Sequence, residues 1–142
     1  MKVQLLLLLI MCELLHGCTS FVIKDHLFGN YFLVAPDDGH QLGLAYYTPK
    51  DGDSYAAIIS ATVFAVGYNE KYLIAKQHPF IFSRPPNKDT TNYYILQITN
   101  DFNFRTMDGL FGPLTLDQFI LKRHELGIPD SLIFTKEYED LK

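Results

Sequence analysis

The segment Ala61–His78 limits the fold more than any other part of the chain. It reads Ala-Thr-Val-Phe-Ala-Val-Gly-Tyr-Asn-Glu-Lys-Tyr-Leu-Ile-Ala-Lys-Gln-His. Two apolar runs around a short polar turn are the pattern of a β-hairpin. Successive side chains of a strand point to opposite faces, and here both faces are apolar. A turn centred on Asn69-Glu70 sets Val66 opposite Leu73 and Phe64 opposite Ala75 on one face. On the other, Ala65 meets Ile74 and Val63 meets Lys76. Small residues facing large ones suit cross-strand packing. A hairpin apolar on both sides belongs in the middle of a sheet, covered above and below.

The flanking sequence extends this sheet. Tyr31–Ala35 is an apolar run ended by the turn residues Pro36, Asp37, Asp38 and Gly39, and Leu42–Thr48 is closed by Pro49-Lys50-Asp51-Gly52. Tyr55–Tyr68 is long enough to bend or break near Ser60. Tyr72–His78 and Asn92–Thr99 complete five strands. A loop from Pro79 to Thr91 has Arg84-Pro85-Pro86-Asn87-Lys88-Asp89 at its polar end, stiffened by proline.

One helix is well specified. Thr115 and Gln118 have the spacing of a capping box, with Leu114 and Phe119 placed as a hydrophobic staple. Asp117 in the first turn and Lys122-Arg123-His124 near the end complement the dipole; Gly127 and Pro129 stop it. Its apolar stripe is Leu116, Phe119 and Ile120, expected to cover one face of the sheet. Leu132–Thr135 reads as a last short strand, and the charged tail Lys136–Lys142 as frayed. Strands followed by a helix give an α+β domain: an antiparallel meander of about five strands with one C-terminal helix packed on the sheet.

The N-terminus carries a different signal. Met1-Lys2 is positive, Val3–Cys12 is apolar except for Gln4, and Leu15-His16-Gly17-Cys18 follows. Such a run is too short for a spanning helix, which needs about 20 residues, and has the length of a signal-peptide core. The last four residues resemble the bacterial lipobox, in which the cysteine receives a diacylglycerol. His16 and Glu13 depart from that pattern. Residues 1–17 are therefore expected to be a signal peptide of lipoprotein type, and 18–142 a single domain tethered at Cys18. Only Thr19 and Ser20 precede the apolar Phe21-Val22-Ile23, so the tether is short and the body sits close to the bilayer. The expected location is the outer face of the cytoplasmic membrane or, in a two-membrane cell, the outer membrane.

Composition excludes several classes. Formal net charge is −4 and no Lys/Arg cluster is present, so nucleic acid is not an expected partner, because phosphate binding needs clustered cations. Of two cysteines, Cys12 lies in the signal segment, leaving one thiol and no internal disulfide. The fold must rest on its apolar core, to which 11 Phe and 9 Tyr contribute.

The chain offers few groupings suited to chemistry. His26, His40, His78 and His124 have no zinc-site spacing. Asp51-Gly52-Asp53 fails the calcium-loop pattern because the twelfth position from Asp51 is Thr62 instead of Glu; it reads as a turn, as does Asp37-Asp38-Gly39-His40. No G-x-S-x-G elbow is present, and neither a cofactor nor catalysis is expected. The least ordinary feature is the end of the fourth strand. Lys76 and His78, followed by Arg84 and beside Tyr93, could face one concave polar site for a small anionic or peptide ligand. A strand end reaching solvent is the plainer reading.

The hairpin Ala61–Pro79, the segment Thr91-Asn-Tyr-Tyr-Ile95, and Gly112-Pro-Leu-Thr115 leading into Lys-Arg-His-Glu-Leu-Gly-Ile128 are similar to a family of small bacterial lipoproteins, the domain-of-unknown-function family 3997. The resemblance spans most of the mature chain. It implies a bacterial source, export, lipidation and one compact domain, and carries over no functional residues. The expected protein is thus a membrane-anchored, non-catalytic binding or accessory module of the cell envelope, with another envelope protein as a further candidate partner. A small envelope-acting hydrolase, an inhibitor-like protein using the Pro85-Pro86 loop, and a surface-coating protein are the alternatives. Mass analysis of the envelope fraction is expected to give a chain beginning at Cys18 and carrying diacylglycerol. An unmodified N-terminus would remove the anchor.

Overall fold

A computed structural model of the protein describes residues 21–100, 102, 103 and 105–142; the expected signal segment and Cys18 lie outside the described residues. Among these are nine strands: β1 (Ile23–Phe28), β2 (Tyr31–Ala35), β3 (Gly43–Thr48), β4 (Ser54–Ile59), β5 (Val63–Tyr68), β6 (Tyr72–Gln77), β7 (Asn92–Gln97), β8 (Leu110–Leu114) and β9 (Lys136–Glu137). The helix α1 spans Leu116–Glu125. All pairings are antiparallel, in two sheets of order β1-β2-β3-β4 and β8-β7-β6-β5-β9. The α+β class and the C-terminal helix on the sheet stand. The five expected strands become six, because Tyr55–Tyr68 divides into β4 and β5, and with β1, β8 and β9 they form two sheets.

Alternation explains how the sheets meet. In β2, Tyr31, Leu33 and Ala35 are buried while Phe32 and Val34 are half-buried on the other face. The inward set packs with Leu44 and Ile59 of its own sheet and with Phe64, Val66, Leu73 and Leu96 of the second. The second sheet is covered on both sides, as the hairpin requires. Ile74 and Ile95 point away from the sheet-to-sheet core and pack under Phe119 of α1, with Ile128 and Leu132.

The hairpin register differs from the expected one by two residues: Tyr68 faces Leu73 and Val66 faces Ala75. The Asn69 side chain accepts hydrogen bonds from the backbone N–H groups of Lys71 and Tyr72, both 2.9 Å. It therefore starts the turn instead of occupying its centre. A shift of two preserves which residues share a face from Ala65 to Tyr68; a bulge between Val63 and Ala65 then sets Val63 opposite Gln77 instead of Lys76, on the same face as Val66.

The long Tyr55–Tyr68 run does break near Ser60. The chain leaves the first sheet after Ile59 and enters the second at Val63. At this crossing Thr62 and His78 exchange backbone bonds of 2.9 Å, and Val63 donates to the Leu42 carbonyl at 2.7 Å. Gln77, buried, donates to the Ala61 carbonyl at 2.8 Å and accepts from Asn92 at 2.9 Å. Buried polar groups are tolerated when paired in this way.

Two strands were hidden by local composition. Pro113 argues against a strand, yet β8 lies at the sheet edge, where a missing N–H is harmless. In β1, Asp25 interrupts the apolar set because it faces Leu33 of β2 at an inward position. Lys136 Nζ and the Tyr138 hydroxyl donate to its Oδ2 at 2.5 and 2.6 Å.

The tail is correspondingly ordered and does not fray. The short strand falls at Lys136–Glu137 instead of Leu132–Thr135, pairing with Ala65 and Val66 of β5. Tyr138 N–H donates to the Phe64 carbonyl, and Leu141 is buried in the core. Leu132 serves instead as a core residue beneath α1. The helix caps as expected: Thr115 accepts from Gln118 N–H at 3.3 Å, and Gln118 accepts from Thr115 N–H at 2.9 Å. Its stripe is narrower than expected. Phe119 is 3% exposed, but Leu116 and Ile120 are 51% and 57% exposed. Ile128 and Leu132, after the helix, complete the cluster around Phe119, Ile74 and Ile95.

Gly67 lets the tail cross β5. A Cβ there would lie 1.9 Å from the Ile133 carbonyl oxygen. Gly67→Ala is expected to cost about 3 kcal/mol in urea unfolding; an unchanged midpoint would mean that the tail does not lie on β5. Asp25 gives a pH prediction. Burial alone would raise its carboxyl pKa, but the hydrogen bonds from Lys136 and Tyr138 hold it below the ordinary value of 3.8. A depressed folded pKa stabilises above the unfolded pKa and loses that contribution as pH falls through the folded one. Asp25→Asn should cost roughly 1 kcal/mol at neutral pH and flatten the loss of stability below about pH 4. An acid limb identical to that of the parent protein would count against the clamp.

Candidate functional site

The largest hollow among those described lies on the outer face of the first sheet, with a volume of about 770 Å³. Register builds it. Lys24, Val34 and Gly43 stand side by side across β1, β2 and β3, and Tyr47 pairs with Tyr55 across β3 and β4. Phe21, just before β1, places its ring edge-on to Tyr55 with centroids 5.0 Å apart. Phe32 supports Tyr55 from the side at 5.4 Å, and Tyr47 leans on Tyr55 at 5.1 Å. Edge-on and offset contacts of this kind lock rings in place.

The floor is low because its residues are small. Gly43 and Ala57 line it between the aromatic walls. A Cβ at position 43 would come within 2.8 Å of the Ile59 carbonyl oxygen, so the strand there requires glycine. Polar groups stand at the rim. Lys24 Nζ lies 5.0 Å from the Tyr55 ring centre, a cation over an aromatic face. The Tyr47 hydroxyl donates to Asp53 Oδ1 at 2.6 Å, and that carboxylate pushes the hydroxyl pKa above its ordinary value. A tyrosine so held stays neutral and fixed in orientation. The site therefore offers ring faces for stacking, one cation, one carboxylate and a depression that admits a small ring-bearing ligand.

The residues expected from sequence are placed elsewhere. Lys76 and Tyr93 face each other across β6 and β7. Both are covered from the helix side: Lys76 lies over the Phe134 ring at 4.4 Å and 4.0 Å from Glu137, and Tyr93 packs on Phe119 at 5.1 Å. His78 does not join them, because β6 ends at Gln77 and alternation stops there. Its ring stacks on Phe64 at 4.2 Å, buried, with Nδ1 2.8 Å from the Thr90 carbonyl and Nε2 unpaired. Arg84 lines a separate hollow of about 330 Å³ with His40 and Phe82. Lys76 and Tyr93 are thus brought together, while His78 and Arg84 stand apart from them and from each other. The sequence does not mark the aromatic cleft, because Phe32, Tyr47 and Tyr55 are residue types that any strand favours. Their alternation with Leu33, Tyr46 and Ala56 carries the outward face.

Asp37–His40 is a turn, with Asp38 accepting from His40 N–H at 2.9 Å. Among the described residues no three His, Cys, Asp or Glu side chains converge as a metal site, and no helix is long and apolar enough to cross a membrane.

Two packed antiparallel sheets, a C-terminal helix and an aromatic cleft on the outer sheet face define a small α+β domain. The chain belongs to the family described as protein of unknown function (DUF3997), whose model matches residues 28–140. No curated protein and no solved structure matches it.

Proposed function

We propose that this protein is a non-catalytic, exported, lipid-anchored module of the cell envelope that binds its ligand in the aromatic cleft of the first sheet. The observation that carries the reading is the set of partly exposed rings, Phe21, Tyr47 and Tyr55, held around a small-residue floor with Lys24 and Asp53 at the rim. The export signal and the lipobox-like Leu15-His16-Gly17-Cys18 supply the location. A cleft built from stacking surfaces and two opposite charges is suited to orienting a ligand.

The test is capture in the living cell. A photo-crosslinking side chain at Ala57, exposed on the cleft floor, is expected to trap one species reproducibly in the envelope fraction. Adding Tyr55→Ala should lower that capture about tenfold, the loss expected when one stacking wall is removed. Capture that ignores Tyr55→Ala, or that is equally strong from position 121 on α1, would overturn the cleft as the binding site.

A further inference from the structure

We propose that one edge of the domain, formed by Val22 and the Ile81-Phe82 loop tip, inserts shallowly into the lipid surface to which the chain is tethered. The inference rests on the lipid-anchor reading and adds an orientation to it. Among the described residues, Phe82 at 78% and Ile81 at 64% are the two most exposed large apolar side chains, followed by Val22 and, on α1, Leu121, both at 61%. Single exposed apolar residues are ordinary, but adjacent ones on a presented tip mark a contact surface.

The tip is braced. Asn87 N–H donates to the Pro79 carbonyl at 2.9 Å and closes the loop at its base, Arg84 N–H donates to the Ile81 carbonyl at 3.0 Å, and Pro86 is buried. Ile81 and Phe82 are therefore held outward by a turn whose next residue, Ser83, has φ 72°.

The loop stands at the end of the molecule where the chain begins. Phe82 and Arg84 share a hollow with Asp38 and Gln41. The same turn touches β1, since a Cβ on Gly39 would lie 3.7 Å from the Ile23 side chain. Gln41 also lines the cleft with Phe21. Cys18 precedes Phe21 by three residues, a reach of about 10 Å when extended. That is comparable with the roughly 5–10 Å to which interfacial apolar groups sink. A lipid on Cys18 therefore brings Val22, Ile81 and Phe82 to the headgroups together.

Charge sets the character of the contact. This edge carries Lys24 and Arg84 but also Asp37 and Asp38, so the cations have no excess. The contact is apolar, and it does not depend on anionic lipid as polybasic attachment does.

The chain contains no tryptophan, so Phe82→Trp creates a single reporter. The full-length, host-lipidated protein carrying it is reconstituted into phosphatidylcholine vesicles with brominated acyl chains. Glu70→Trp, at the opposite hairpin end of β5 and β6, is the control. Expected are sedimentation of both proteins with the vesicles, a blue shift and quenching at position 82, and neither at position 70, unchanged by adding anionic lipid. Sedimentation with no quenching at position 82 would overturn the inserted edge while leaving the anchor, and would leave the tip to a protein partner. Equal quenching at both positions would overturn the orientation. Failure of both proteins to sediment would overturn the anchor and the inserted edge together.

Discussion

The Asp25 carboxylate is the contact on which the arrangement of the two sheets turns. It sits at an inward position of an edge strand, where a charge is costly unless paired. Its partners, Lys136 and Tyr138, come from the opposite end of the chain, 111 and 113 residues away. The contact therefore ties the first strand of one sheet to the segment that completes the other. Lys136 brings β9 onto β5, and Tyr138 carries the backbone to Phe64 and the side chain of Leu141 into the core. An inward charge on an edge strand also deters pairing with another chain.

A second polar junction holds the crossing between the sheets. Thr62, Gln77 and His78 are buried, and the backbone and side-chain bonds around them join the Leu42 strand entry, the β4–β5 crossing and the end of β6. Paired groups at such a place specify geometry more than they add stability. The crossing fixes how β4 hands over to β5. That in turn sets which face of the first sheet is turned inward and leaves Tyr47 and Tyr55 on the outside.

Much of this was legible in the residues, and the exceptions share a cause. The central hairpin, the break near Ser60 and the capped helix were readable because their signals are local: alternation, turn chemistry and a capping box. β1, β8 and β9 were not, because each contains a residue whose suitability depends on a distant partner or on an edge position. Asp25 looks foreign to a strand until Lys136 and Tyr138 are brought to it. The charged tail looks disordered until Leu141 finds the core. The candidate site was obscured in another way. Lys76 and His78 stand out in the sequence by their polar character, but the fold packs one against Phe134 and buries the other against Phe64. Aromatic side chains at outward strand positions carry no such local mark, since nothing in a single strand says which face will be covered.

The position of the tail has a consequence for the order of assembly. The first sheet forms from strands that follow one another between residues 23 and 59, each pairing with the next, so its loop closures are short and cheap. The second sheet must join position 65 to position 137, a long closure made only after β6, β7, β8 and α1 have been added. A chain emerging from its N-terminus would hold a nearly finished first sheet with Leu33 and Leu44 uncovered until β5, β6 and β7 bring Phe64, Val66, Leu73 and Leu96 onto it. That interval is when it is most exposed to association with other chains; β9 and Tyr138 then tie the two sheets together.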